Sequence, residues 1–192
     1  DVGSVTVAGR TFQRPGLQEM KQAGLGYTPE NRKEAGLVQI LSTHDNLCLA
    51  SLGRIAPNGI VSRQGEQAYV DRQIADLAIK VPDSLLPVSS LSGGNQQKVV
   101  IGKWMNTDPR VMFFDEPSRG VDVQAKRQIF DIIWQKASEG LGAVFVSTEL
   151  EEVLEVADRI LVMRQGRIVA EVDPTEITLN DLYSICMKDP TA

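Results

Sequence analysis

Two short stretches hold the residues best suited to chemistry. RVMFFDEP, residues 110 to 117, is an apolar run that ends in two acids and a proline. Such a run reads as a parallel strand buried on both faces, which places Asp115 and Glu116 at the carboxyl edge of the sheet, where α/β proteins bind ligands. Asp115 could hold Mg²⁺ through water, and Glu116 could orient and deprotonate an attacking water. Pro117 cannot continue a central strand, so the acids stand at a sharp exit. Taken alone, the same residues also fit a strand that ends in a polar turn.

The second stretch is LSGGNQQK, residues 91 to 98. Ser92, Gly93 and Gly94 precede a helical pattern, so unpaired N–H groups and the positive end of a helix dipole can face an anion. Glycine permits close backbone approach, and the serine hydroxyl adds a donor. By itself an SGG turn is also a common structural cap.

The elements that must position these residues alternate between helix and strand periods, which gives an α/β class. Val5 to Ala8 is expected as a strand closed by Gly9-Arg10, and Pro15 as the first residue of a helix that Gly24 ends. Gly26 to Thr28 reads as a brief strand running into the loop PENRKEAG. Helices interrupted by Pro, Gly and Ser follow, with Val70, Ile74, Leu77 and Val81 on one face. Beyond RVMFF, Asp122 is placed to cap a helix striped by Ile129, Ile133 and Ala137, and Gly140 to end it. AVFVS, residues 143 to 147, reads as a second buried strand, then a short helix. A hairpin turning at Gln165-Gly166 and a last helix to Met187 complete the pattern.

Composition narrows the class further. With Asp and Glu exceeding Lys and Arg by 25 to 20, the chain carries a net charge of −5, which argues against a broad nucleic-acid footprint. Cys48 and Cys186 stand far apart and form no CxxC pair, so they read as reduced thiols. No apolar run is long enough to span a bilayer, so any membrane association is expected to come through a partner.

Together the two chemical stretches are more specific than either one. LSGG precedes an apolar strand ending DEP, and SRGVD follows at once. This arrangement resembles the nucleotide-binding domain of ABC transporters. LSGGNQQK is similar to the family's signature motif, VMFFDE to its Walker B strand, and SRGVD to its D-loop. GYTPENRKEAGL, the NQQK form of the signature and DEPSRGVDVQAK further resemble the second ATPase half of tandem importers for ribose-like monosaccharides.

The resemblance implies a P-loop NTPase-like (RecA-like) core. Residues 1–45 and 107–192 would form this core and 46–106 a helical signature subdomain, all within one domain. It implies ATP and Mg²⁺ as cofactors, with Glu116 as catalytic base and Asp115 on the metal. Leu91, Ser92, Gly93, Gly94 and Gln96 would touch ATP held by a neighbouring half, and Ser118, Gly120 and Asp122 would form the D-loop. The implied partners are a first ATPase half, transmembrane permease subunits and, indirectly, a periplasmic sugar-binding protein, with no nucleic acid. The implied location is the cytoplasmic face of the inner membrane, held peripherally. The stretch from Glu30 to about Gly59 is where the family couples to its permease; its charges at Glu30, Arg32, Lys33 and Glu34 equally fit a solvated loop.

Three features depart from the family pattern. No G-x-x-x-x-G-K-[ST] stretch occurs, since Gly102-Lys103 is followed by Trp, and the family places its P-loop just upstream. The chain is therefore expected to be truncated at its N-terminus and inactive alone. Glu30 stands where the family's Q-loop glutamine belongs, and a carboxylate there cannot donate as an amide can and repels phosphate. Thr148 stands at the position of the switch histidine; the single histidine, His44, precedes the signature and reads as a surface loop residue. Two other classes fit less well. Soluble ABC ATPases of nucleic-acid repair or translation usually carry a charged residue where Asn95 stands, and a non-catalytic regulatory module would explain Glu30, Thr148 and the missing P-loop.

Overall fold

The computed structural model describes residues 3–57, 59–61 and 63–187, which form two compact units divided between Val144 and Phe145. In the first unit a hairpin comes first, β1 (Ser4–Val7) paired antiparallel with β2 (Arg10–Gln13). Its turn residues Ala8 and Gly9 both have positive φ, 50° and 78°, the handedness a tight two-residue hairpin requires. Arg10 thus starts a second strand and does not close the first.

The short helix α1 (Leu17–Gln22) is capped by the backbone of Gly16, with Glu19 accepting from the Gly16 N–H at 2.9 Å. Pro15 therefore lies outside the helix, one residue before the cap. β3 (Leu25–Thr28) runs parallel to β4 (Val111–Asp115), pairing Tyr27 with Phe113 and Thr28 with Phe114. Between them PENRKEAG is not an open loop. Asn31 Oδ1 accepts from the N–H groups of Lys33 and Glu34, and Arg32–Gly36 form one wide π-type turn.

Among the described residues, four α-helices occupy the middle of the chain: α2 (Thr43–Cys48), α3 (Leu52–Ile55), α4 (Arg63–Asp76) and α5 (Gly93–Met105). His44 lies in α2 and not in a surface loop, with its side chain only 12% exposed. Leu77 and Val81 fall beyond the end of α4, so the expected stripe is helical only at Val70 and Ile74. α5 packs on α2, α4 and β3, with Val99, Val100 and Ile101 fully buried. Gly102 permits that approach, since a Cβ there would lie 2.9 Å from Leu47 Cδ2. A polar chain ties the same layers: Gln73 Nε2 donates to Asn106 Oδ1, and Asn106 Nδ2 to Leu47 O, each at 2.9 Å.

β4 departs from its expected double-sided burial. Met112 and Phe114 are fully buried while Val111 and Phe113 are half-buried, so one face carries the core and the other is partly covered. The chain then enters α6 (Val123–Ser138), capped by Asp122, whose Oδ1 accepts from the Ala125 N–H at 2.8 Å. Ile129, Phe130, Ile132 and Ile133 bury one face of it. The helix ends as Gly140 requires: Gly140 N–H donates to Ala137 O and Leu141 N–H to Lys136 O, with Gly140 at φ 101°.

β5 (Gly142–Val146) begins beside β4, where Gly142 N–H donates to Arg110 O at 2.9 Å. It was expected to be buried, yet Val144 is 39% and Val146 46% exposed. Apolar residues make a strand fit for burial, but burial needs a neighbour, and among the described residues the sheet ends at β5.

The second unit has its own small core. α7 (Leu150–Val156) and α8 (Leu179–Met187) flank the hairpin of β6 (Ile160–Arg164) and β7 (Arg167–Val172). Ile160, Val162 and Leu182 are buried together there. Gln165 and Gly166, at φ 47° and 74°, make the tight turn as their sequence indicates.

Candidate nucleotide-facing site

Three segments of the first unit converge: the exit of β4, the turn before α5 and the π-type turn after β3. At the exit, the Tyr27 hydroxyl donates to Asp115 Oδ2 at 2.7 Å. That bond, then burial and the adjacent negative charge, raises the pKa of Tyr27 above its ordinary value. Glu116 has a φ of 44°, a left-handed conformation that costs a non-glycine residue about 1 kcal/mol or more. The strain turns the chain sharply, and Arg119 N–H closes the bend on Glu116 O at 3.1 Å. Ser118 is buried at 6% exposure, Gly120 has a φ of 66°, and Asp122 is committed to capping α6.

The turn before α5 presents Ser92 to solvent, while Leu91 is buried beneath it. Ser92 is the N-cap by backbone, but its hydroxyl makes no bond to the helix N–H groups. Its orientation is set from the side, because Asn95 Nδ2 donates to Ser92 Oγ at 3.0 Å. Asn95 is in turn fixed by the Lys80 N–H, which donates to its Oδ1 at 2.8 Å. Gly94 lets α5 meet α6, since a Cβ there would sit 2.4 Å from Ala125 Cβ. Gln96 points inward, 5% exposed, donating to Leu91 O at 3.0 Å, so it braces the turn from behind.

The third segment joins the other two. Glu30 is ion-paired with Arg119, so its carboxylate has a cationic partner. Both side chains are largely exposed, and such a pair contributes about 1 kcal/mol at most. Arg32 reaches further in, donating from Nη1 to Arg119 O at 2.7 Å and from Nη2 to Gly120 O at 3.0 Å. Burial lowers its pKa from the ordinary value. The sequence-predicted residues of the signature, the D-loop and position 30 thus lie together with Asp115 and Glu116 in one unit. Thr148 belongs to the second unit, where it is exposed just before α7.

Sequence reasoning missed Tyr27, Arg32 and Asn95 as parts of this site. Arg32 had only the charge run around it as a signal, and that run fits a solvated loop equally well. Tyr27 was detectable through register alone, since pairing β3 with β4 sets it near Asp115.

A protein-family model described as ABC transporter matches residues 1–119, and the chain belongs to that family. It is 40% identical over 185 residues to the ribose import ATP-binding protein RbsA of Bacillus subtilis (strain 168). It is 37% identical over 191 residues to the arabinose import ATP-binding protein AraG of Rhizobium meliloti (strain 1021). These matches cover 96% and 99% of this chain, which spans 38% of the length of each of these curated relatives.

Among solved structures, the ATP-binding cassette MJ1267 aligns with a TM-score of 0.76 at 19% identity, over 94% of this chain and 75% of that one. The cassette MJ0796, in a post-hydrolysis dimer bound to ADP and Pi, aligns at 0.73 and 17% identity, over 90% and 73%. The fold is that of the P-loop NTPase-like α/β domains, as the sequence indicates.

Proposed function

We propose that this chain is the C-terminal ATP-binding half of an importer ATPase for a monosaccharide such as ribose, and that its signature turn acts on ATP held by a neighbouring half. One observation carries this reading. Ser92 stands exposed at the start of α5 with its hydroxyl held by the side chain of Asn95 in the helix's first turn, and it makes no bond to the helix N–H groups. A hydroxyl so oriented beside free helical N–H groups is preorganised for an anion. The names and identities of the relatives support the importer class.

In this reading Ser92, Gly93 and Gly94 contact the γ-phosphate across the interface, with Leu91 and Gln96 supporting them from beneath. Ser118, Gly120 and Asp122 shape the D-loop that meets the neighbour. Residues 46–106 act as the signature subdomain, between core segments 1–45 and 107–192. Asp115 and Glu116 serve a second ATP site, completed by a P-loop supplied outside this sequence. Asp115 would hold Mg²⁺ there: Tyr27 takes one of its oxygens and leaves the other for a water on the ion. The ion, when bound, would supply charge stabilisation on the phosphates. Glu116 orients the attacking water and takes its proton. Glu30 at the Q-loop position makes this second site the weaker of the two.

The partners are then a first ATPase half, permease subunits and indirectly a periplasmic sugar-binding protein, with peripheral attachment at the cytoplasmic face. No described helix is long and apolar enough to cross a membrane. Vanadate trapping with MgATP in the full-length protein, followed by ultraviolet irradiation, tests the contact. Backbone cleavage is expected at residues 91–94, and its loss when the neighbouring half's P-loop lysine is replaced. Cleavage elsewhere only, with 91–94 intact, would contradict the proposal.

A further inference from the structure

The turn from Glu30 to Gly36 is fastened to the surrounding structure at three places. Arg32 bonds two consecutive D-loop carbonyls, and Glu30 pairs with Arg119. At the far end Lys103, from the last turn of α5, donates to Gly36 O. Gly36 itself is close-packed on α5, since a Cβ there would meet Val100 Cγ2 at 3.0 Å. The Arg32 guanidinium also abuts the signature turn. A Cβ on Gly93 would lie 2.7 Å from Arg32 Nη2 and 3.3 Å from Gly120 O. Gly93, Arg32 and Gly120 therefore meet at one point, where the guanidinium touches both loops and Gly93 also lies against Gly120 O. Arg32 Nε is buried without a partner, a desolvation penalty that an apolar filler of the same space would avoid.

We infer that Arg32 is a positioning residue that sets the spacing between the signature turn and the D-loop. The inference deepens the proposed function and rests on it for its catalytic consequence. Three physical points support it. The planar fork engages two carbonyls at once, which a lysine ammonium on a flexible stem cannot reproduce. Bonds from a charged donor are stronger than neutral ones, so the D-loop backbone is held firmly. The absence of a Cβ at Gly93 leaves the signature turn resting directly on the guanidinium, with no soft side chain between to absorb a displacement.

The test uses the full-length protein with Arg32→Lys and Arg32→Met. Amide hydrogen exchange without nucleotide should rise about tenfold at residues 119–121 and also at Gln96, whose N–H donates to Ser92 O, in the Met variant, a local opening measured against unchanged exchange in the α6 interior. The Lys variant should fall between. In steady-state assays the Met variant should lose about tenfold in kcat with KM for ATP changed less than about twofold, because ATP loads on the neighbour's P-loop before this turn closes on it. Should the Met variant fail to fold, the Lys variant decides alone: its exchange must rise at both segments. Exchange that rises at the D-loop but not at Gln96 overturns the inference, as does equal behaviour of Lys and Met, or a KM effect without a kcat effect. If exchange follows the prediction while neither Arg32→Met nor Ser92→Arg slows hydrolysis, the mechanical link stands and the trans-acting role of Ser92 falls.

Discussion

Asn95 holds the Ser92 hydroxyl from the side, Nδ2 to Oγ at 3.0 Å, and is itself held by the Lys80 N–H. This ties the Ser92 hydroxyl to a side chain of the first helical turn and not to the helix N–H groups. Replacing Asn95 with Asp separates stability from function. A carboxylate in the first turn favours the helix by about 0.3–1 kcal/mol, so melting temperature should hold or rise slightly. The same negative charge beside the turn proposed to face ATP should lower ATP hydrolysis about tenfold or more in the full-length protein. Equal losses of stability and activity would instead mark Asn95 as a packing residue.

Tyr27 makes a smaller but separable contribution. Tyr27→Phe removes a hydrogen bond to a carboxylate at a partly exposed site, which should cost about 1 kcal/mol. The pH dependence has a definite sign. The folded pKa of Tyr27 is raised, so its stabilisation is complete below the unfolded value of 10.0 and is lost as pH rises through the folded one. Wild type should therefore lose its advantage over the Phe variant above pH 10, in chemical denaturation measured along the alkaline limb. A difference that persists unchanged at high pH would refute the assignment.

Gly94 should be intolerant of even one methyl. An alanine in a helix normally gains about 1 kcal/mol over glycine. Here its Cβ would meet Ala125 Cβ at 2.4 Å, and two backbone-anchored atoms cannot yield as flexible side chains do. Overpacking of this kind costs about 1–3 kcal/mol, so Gly94→Ala should destabilise in urea titration. A stabilised variant would show that α5 and α6 can part without penalty.

The two thiols should differ in reactivity. Cys48 is buried, and burial, with smaller effects of nearby Glu66 and Asp45, pushes its pKa from 9.0 up to about 12. Only the thiolate is nucleophilic, so iodoacetamide at pH 8 should modify Cys186 and spare Cys48 until the protein unfolds. Because the folded pKa is raised, Cys48 contributes stability that is complete below pH 9.0 and declines toward about 12. Rapid labelling of native Cys48 would contradict its burial.

The parts of this molecule that were legible in sequence are those governed by local rules. Asp122 as a cap, Gly140 as a helix stop and Gln165-Gly166 as a hairpin turn depend only on neighbours in the chain, and each is found as expected. LSGG and DEP were legible as a pair because their spacing is a family pattern. The expectations that failed concern burial and long-range contact. AVFVS has a composition fit for a core, yet β5 is half exposed, because apolarity does not say which surfaces will cover a strand. Arg32 and Arg119 sit far apart in sequence, and no periodicity foretells a guanidinium that joins two loops. Glu30 reads in sequence as a charge at the Q-loop position or in a solvated loop, and its pairing with Arg119 is not legible there.

The central claim is that Ser92 serves a neighbour's ATP while Asp115 and Glu116 serve a weaker site, and it is tested most directly by comparing two variants in the assembled transporter. Ser92→Arg should abolish most substrate-stimulated hydrolysis, since losing preorganised donors costs on the order of 10²–10³ in rate and a bulky side chain obstructs closure besides. Glu116→Gln should cost much less in the same steady-state ATPase assay. Comparable losses would mean that both ATP sites are equivalent, and a larger loss from Glu116→Gln would contradict the account outright.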